Sequence, residues 1–135
     1  MKEITMAAKV ENIEDMTDEL NAWFEENGIS MKITLQLDVV LDEVLTNIAS
    51  YAYGDSPGDM TVRAEMINGG STVRLEFTDN GIYFDPLKKE DPDITLSAEE
   101  RKIGGLGIFI VKKTMDNVSY ERKGDTNILV IEKNL

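Results

Sequence analysis

The sequence contains no cysteine and no histidine. The first absence excludes disulfides and thiolate zinc sites, and the second excludes imidazole metal ligands and imidazole acid–base chemistry. Any catalysis therefore falls to carboxylates or to a metal carried in by a nucleotide. Long apolar runs are missing too: nothing approaches the roughly 20 residues that a bilayer-crossing helix needs. No charged-then-apolar leader opens the chain, so a soluble, cytoplasmic protein is expected. Basic residues are scarce, 14 Lys and Arg against 26 Asp and Glu, for a net charge of −12. Phosphate backbones are bound by Lys and Arg clusters, so a nucleic acid is a poor partner and a protein with a basic face a better one. At 135 residues, 41% hydrophobic and 30% charged, the chain is expected to form one domain over residues 1–135, with no length for a second core.

The local patterns predict three helices and two hairpins. Lys2 to Val10 reads as an opening strand. Asn12 is placed to cap a first helix, with Asp15 in its first turn and Ile13, Met16, Leu20, Trp23 and Phe24 at helical spacing until Gly28. Ser30 is placed to cap a second helix running to about Tyr53, where Gly54 and Pro57-Gly58 break it. Its apolar stripe, at about 100° per residue, is Ile33, Leu37, Val40, Leu41, Val44, Ile48 and Tyr51. Met60 to Ile67 and Thr72 to Thr78 alternate with period two around Asn68-Gly69-Gly70, a hairpin signal. Pro86 to Ile103 is charged and without sustained periodicity, which suggests a long functional loop. A third helix follows Gly104-Gly105-Leu106-Gly107, and Val118 to Arg122 and Ile128 to Glu132 form a second hairpin around Gly124-Asp125. The expected architecture is a two-layer α/β sandwich, helices on one face of a mainly antiparallel sheet.

Three clusters in this frame carry possible chemistry. Glu43 and Asn47 lie one turn apart on the border of the second helix's apolar stripe. Taken singly, each is an ordinary boundary residue. Together, a carboxylate can orient or deprotonate a hydroxyl, and an amide oxygen can supply a hard ligand to Mg²⁺, which takes few protein groups and fills its shell with phosphates and water. Asp79 precedes Asn80-Gly81 at the end of a strand. It is either a turn-forming aspartate or an acceptor for an adenine amino group, with Gly81 leaving room for the base. Gly104, Gly105 and Gly107 either shape a turn or let backbone N–H groups and a helix N-terminus approach phosphates. No GxxxxGK[ST] is present, and the glycines do not follow a strand, so neither a P-loop nor a dinucleotide fingerprint applies.

The three clusters in this order, E-x-x-x-N, D-x-G and a glycine-rich turn into a helix, resemble the GHKL ATPase superfamily. The resemblance covers essentially the whole chain and is closest to the stand-alone anti-sigma factor serine/threonine kinases of the RsbW and SpoIIAB type. It is carried by LDEVLTNIASYAYG, TDNGIYFDP and GGLGIFIVKKTMDNVSYER. It implies the Bergerat ATP-binding fold with a lid at about residues 86–103. It also implies Glu43 as catalytic base, Asn47 as the Mg²⁺ ligand, Asp79 with its neighbour Gly81 at the adenine, and Gly104, Gly105 and Gly107 at the phosphates. Where many superfamily members have a second glycine, D-x-G-x-G, this chain has Tyr83 followed by Phe84-Asp85-Pro86. Lys88, Lys89, Arg101 and Lys102 are the lid cations within reach of a phosphate or, equally, of solvent.

Within that superfamily, the missing histidine removes a self-contained histidine kinase, and the length leaves no space for the extra domains of chaperones and topoisomerases. The reading implied is an ATP- and Mg²⁺-dependent protein kinase and anti-sigma factor that phosphorylates a STAS-domain antagonist. It would hold a sigma factor or another regulator in alternation, with a homodimer through the first strand and helix as a further expectation. The alternative is a non-catalytic ATP-dependent binding module, and a nucleotide-free scaffold would leave the three clusters as coincidence.

Overall fold

The computed structural model describes residues 1–88 and 105–135. Five strands and three helices form its frame: β1 Lys2–Ala7, α1 Ile13–Glu26, α2 Met31–Asn47, β2 Asp59–Ile67, β3 Thr72–Asp79, α3 Gly105–Thr114, β4 Asn117–Lys123 and β5 Thr126–Asn134. The sheet runs in the order β1-β2-β3-β5-β4 with every neighbouring pair antiparallel. Period-two patterning decides its faces. Met60, Val62 and Ala64 of β2, Val73, Leu75 and Phe77 of β3, and Leu129 and Ile131 of β5 are buried beneath the helices. The opposite face is polar on β1 to β3, with Arg63 Nε donating to Glu3 at 2.8 Å and Arg74 donating to Glu76 at 3.2 Å, and carries Ile128 and Val130 on β5. This is the expected sandwich, and the helices close its core through Met16, Leu20, Phe24, Leu37, Leu41 and Leu45.

The helix ends follow local chemistry, with two differences from expectation. Ser30 caps α2, its hydroxyl accepting from the Ile33 N–H at 3.3 Å. Asn12 precedes α1 but makes no cap; its amide instead donates to the Ala7 carbonyl at 3.0 Å, tying the helix start to β1. Gly28 ends α1 at φ +73°, which lets the Ile29 N–H return to the Phe24 carbonyl. The second difference lies beyond Asn47, where α2 widens into a π-helical turn over Ile48–Ala52. The wider turn breaks the 100° spacing, and Tyr51, expected in the core stripe, is 58% exposed. Of the segment from Pro86 to Ile103, Pro86–Lys88 forms a short 3₁₀ turn. Residues 89–104, including Gly104, Lys89, Arg101 and Lys102, lie outside the described residues.

Between α1 and α2, Asn21 donates to Asp38 at 2.7 Å. Partial burial pushes the Asp38 carboxyl above its ordinary range, the Asn21 bond opposes this, and the nearby Asp18 charge adds to it. At neutral pH the ionised carboxylate is therefore less favourable in the folded chain than in the unfolded one. As pH falls through the raised folded value the native state takes up the proton first, so this group adds stability on acidification. Asp38→Asn is expected to melt higher than the wild type at neutral pH and to lose that part of the pH dependence. Parallel melting curves at every pH between the two proteins would refute it.

Candidate functional site

The site begins where α2 leaves the core. Glu43 and Asn47 are both half-buried, and the Asn47 amide donates to Glu43 Oε1 at 3.2 Å. That bond fixes the Asn47 side chain with its carbonyl oxygen facing away from Glu43, and this oxygen makes no other hydrogen bond among the described residues. The Glu43 carboxylate lies against Gly107 in the first turn of α3, so closely that a Cβ at 107 would land on the carboxylate. Glycine at this position is what allows α2 and α3 to bring a carboxylate and a helix N-terminus together. Gly105 is the first residue of that helix.

The π-helical turn then carries the backbone to the end of β3. The Ala52 carbonyl accepts from the Ile82 N–H at 2.8 Å, and a Cβ at Gly81 would run into the same carbonyl. The room left at Gly81 is thus filled by Ala52. Tyr53 locks the junction: its hydroxyl donates to the Asp59 carbonyl and accepts from the Asn80 N–H at 2.9 Å. Burial, above the other influences, pushes the Tyr53 phenol above its ordinary value.

Asp79 lies at one end of a polar row crossing three strands, with Asn127 at its centre. The sheet register pairs Asp79 of β3 with Asn127 of β5, and Asn127 with Arg122 of β4. Asp79 is 9% exposed and Asn127 6%, burial that demands hydrogen bonds. Asp79 Oδ1 accepts from the Gly81 N–H and from the Asn127 amide, both at 2.9 Å. The same amide donates to the Ile82 carbonyl at 2.7 Å, while Asn127 Oδ1 accepts from Arg122 at 3.0 Å and from the Tyr120 hydroxyl. Arg122 also donates to the Gly81 carbonyl at 2.9 Å. Every atom of the Asn127 amide is engaged, so the Asp79 carboxylate is held rigidly by one oxygen. Oδ2 has no hydrogen-bond partner among the described residues.

Asn47 and Asp79 line a single pocket whose walls are otherwise mainly apolar: Val44 and Ile48 below, Phe77 and Leu129 from the sheet, Ile108 from α3 and Phe84 beyond the turn. An apolar slot with a buried carboxylate at one end and an amide oxygen at the other suits a flat heterocycle carrying an amino group and a polar tail. Among the described residues no group of three or more carboxylates is arranged to hold a metal by protein alone. The Asn47 amide oxygen is a hard donor of the kind that supplies one protein ligand to a cation such as Mg²⁺, whose shell is completed by phosphates and water. Tyr83 meets Tyr120, itself a wall of the pocket, edge-on with ring centroids 5.9 Å apart.

The structure therefore brings together Glu43, Asn47 and Gly107 at one end and Asp79 and Gly81 at the other. Asn127, Arg122, Tyr120 and Tyr53 were missed by sequence reasoning. For Asn127 a signal exists: it occupies the inward phase of Asn127, Leu129 and Ile131, where an apolar residue is expected.

The histidine kinase-like ATPase domain family matches residues 6–133. Among curated proteins, the serine/threonine-protein kinase BtrW of Bordetella bronchiseptica is 27% identical over 114 residues, 81% of this chain and 79% of that protein. The serine-protein kinase RsbW of Listeria monocytogenes is 32% identical over 96 residues, 67% of this chain, and the match spans 60% of that protein. The histidine kinase domain of the Erythrobacter litoralis EL346 blue-light activated histidine kinase superposes with a TM-score of 0.52 at 20% identity, covering 76% of this chain and 44% of that one. The Acinetobacter baumannii histidine kinase AdeS gives 0.50 at 14% identity, covering 99% and 68%. At these identities the superpositions speak for the fold.

Proposed function

The chain belongs to the histidine kinase-like ATPase domain family, and from that premise we propose that it is an ATP-dependent serine/threonine protein kinase and anti-sigma factor acting by partner switching. Its protein substrate would be a STAS-domain antagonist, and a sigma factor or another regulator would be held in alternation. The observation that carries this reading is the Glu43–Asn47 pair, hydrogen-bonded to each other and set against the first turn of α3. A purely structural helix border would not need a glycine opposite the carboxylate. The names of the kinases BtrW and RsbW support the same reading, as does an acidic chain suited to a basic protein partner.

In this proposal Asp79 Oδ2 accepts from the exocyclic amino group of adenine, while Oδ1 is kept in place by Gly81 and Asn127. The N–H groups at Gly105 and Gly107, in the first turn of α3, would face the phosphates, where the macrodipole favours negative charge. Asn47 Oδ1 would hold Mg²⁺, which when bound neutralises charge on the phosphates. Glu43 accepts the proton of the attacking serine hydroxyl as its oxygen bonds to the γ-phosphorus and the bond to the β-phosphate oxygen breaks, releasing ADP. The apolar walls exclude water, which protects the transfer from hydrolysis.

The first test is a calorimetric titration with ATP, with and without Mg²⁺, on the wild type and on Asn47→Ala. Binding strengthened by Mg²⁺ in the wild type is expected to lose most of that Mg²⁺ dependence in the variant, while Mg²⁺-free affinity changes little. A wild type that does not bind ATP would overturn the proposal.

A further inference from the structure

The outer face of α2 carries a stripe that the core does not use. Met31, Leu35 and Val39 recur at every fourth residue, which places them in one line along a helix, and they are 71%, 58% and 47% exposed. Three large apolar side chains in a row differ from the singly scattered hydrophobics of an ordinary surface. The line ends one turn before Glu43, a further rise of about 6 Å and a rotation of only about 40°. On the α1 side the stripe borders a groove lined by Glu14, Asp18, Asp38 and Asp42, with no Lys or Arg among its walls. The single base of α2 is Lys32, at the end away from Glu43.

We propose that this face of α2, with the acidic groove beside it, is the docking surface for the protein whose hydroxyl is phosphorylated. The matching element has an apolar ridge for Met31, Leu35 and Val39 and Lys or Arg side chains for the groove. This names the partner surface of the kinase reading and rests on it. An element laid along the stripe delivers its next residues to Glu43, so the same helix both receives the substrate and carries the base. Charge argues against a second copy as occupant. In a two-fold interface each patch meets itself, and the four carboxylates of one groove would face the four of the other, a juxtaposition that interfaces avoid.

The probes are the STAS-domain proteins encoded by the source genome, purified singly and titrated into the protein with a non-hydrolysable ATP analogue present, at low and at high salt. One of them is expected to bind the wild type, more weakly as salt rises. The Leu35→Glu/Val39→Glu double variant is expected to bind it at least about 30-fold more weakly, as for central interface anchors, and Asp42→Lys to lose much of the salt dependence. Both variants alter exposed positions and should bind the analogue as the wild type does. Equal partner binding by the double variant overturns the surface and leaves the kinase reading standing, whereas a wild type that fails to bind the nucleotide overturns the kinase reading itself. If no STAS-domain protein binds the wild type, the assigned occupant is wrong. If the wild type sediments as a dimer that the double variant splits, a second copy covers the stripe and the proposal falls.

Discussion

Glu43→Gln is expected to bind ATP as tightly as the wild type and to transfer its γ-phosphate at least about 100-fold more slowly, the usual contribution of a positioned base. The glutamine amide keeps the size of the carboxylate, its fit against Gly107 and an oxygen to accept from Asn47, so the neighbourhood is preserved. What it loses is the ability to take the hydroxyl proton. Single-turnover transfer from labelled ATP to a purified partner separates the two properties. A wild-type rate would remove Glu43 as base, and a lost ATP affinity would make it a nucleotide-binding group instead. A non-catalytic ATP-dependent module, by contrast, would show no transfer in either protein.

Asp79→Asn should do the reverse. With its oxygen at the Oδ1 position, the new amide still accepts from the Gly81 N–H and from Asn127, and the fold should hold. Its NH₂ then stands where Oδ2 was, so a donor faces the donor amino group of adenine and both are left unpaired. A site built to hydrogen-bond a ligand group rejects a mismatch strongly, and ATP affinity is expected to fall by about 100-fold or more. Discrimination against GTP should shrink, because guanine offers a carbonyl acceptor at the same place. Melting curves close to wild type together with the lost affinity are the expected pair of results. Unchanged ATP binding would show that Asp79 contributes only to the turn.

Much of this architecture was legible because its signals are local. The β2–β3 hairpin follows from period-two alternation on either side of Asn68-Gly69-Gly70, and the α2 start from Ser30. Glu43 and Asn47 stood out because two polar residues lie together, one turn apart, on the border of an apolar stripe. The clamp on Asp79 was hidden for the opposite reason. Asn127 and Arg122 reach Asp79 only through the register of three strands, two of them far away in sequence, and no window of neighbouring residues encodes that register. In β5 the ambiguity is compounded, since Ile128 and Val130 on the outer face are as apolar as Leu129 and Ile131 on the inner one. Tyr51 was misjudged because a regular 3.6-residue period was assumed through the π-helical turn.

That turn also sets a constraint of length. Upstream of Ile48 the helix is phased to the core and to Glu43; downstream, Ala52 and Tyr53 are phased to the Asp79–Ile82 corner through the Ala52 carbonyl and the Tyr53 hydroxyl. The extra residue that widens the turn is the offset between the two phases. Removing one residue from Ile48–Ala52 would restore an even helix and swing everything after it by about 100°, parting the adenine end of the pocket from the phosphate end. Side chains such as the exposed Ser50 are free to vary there, while the number of residues between Asn47 and Gly54 is not.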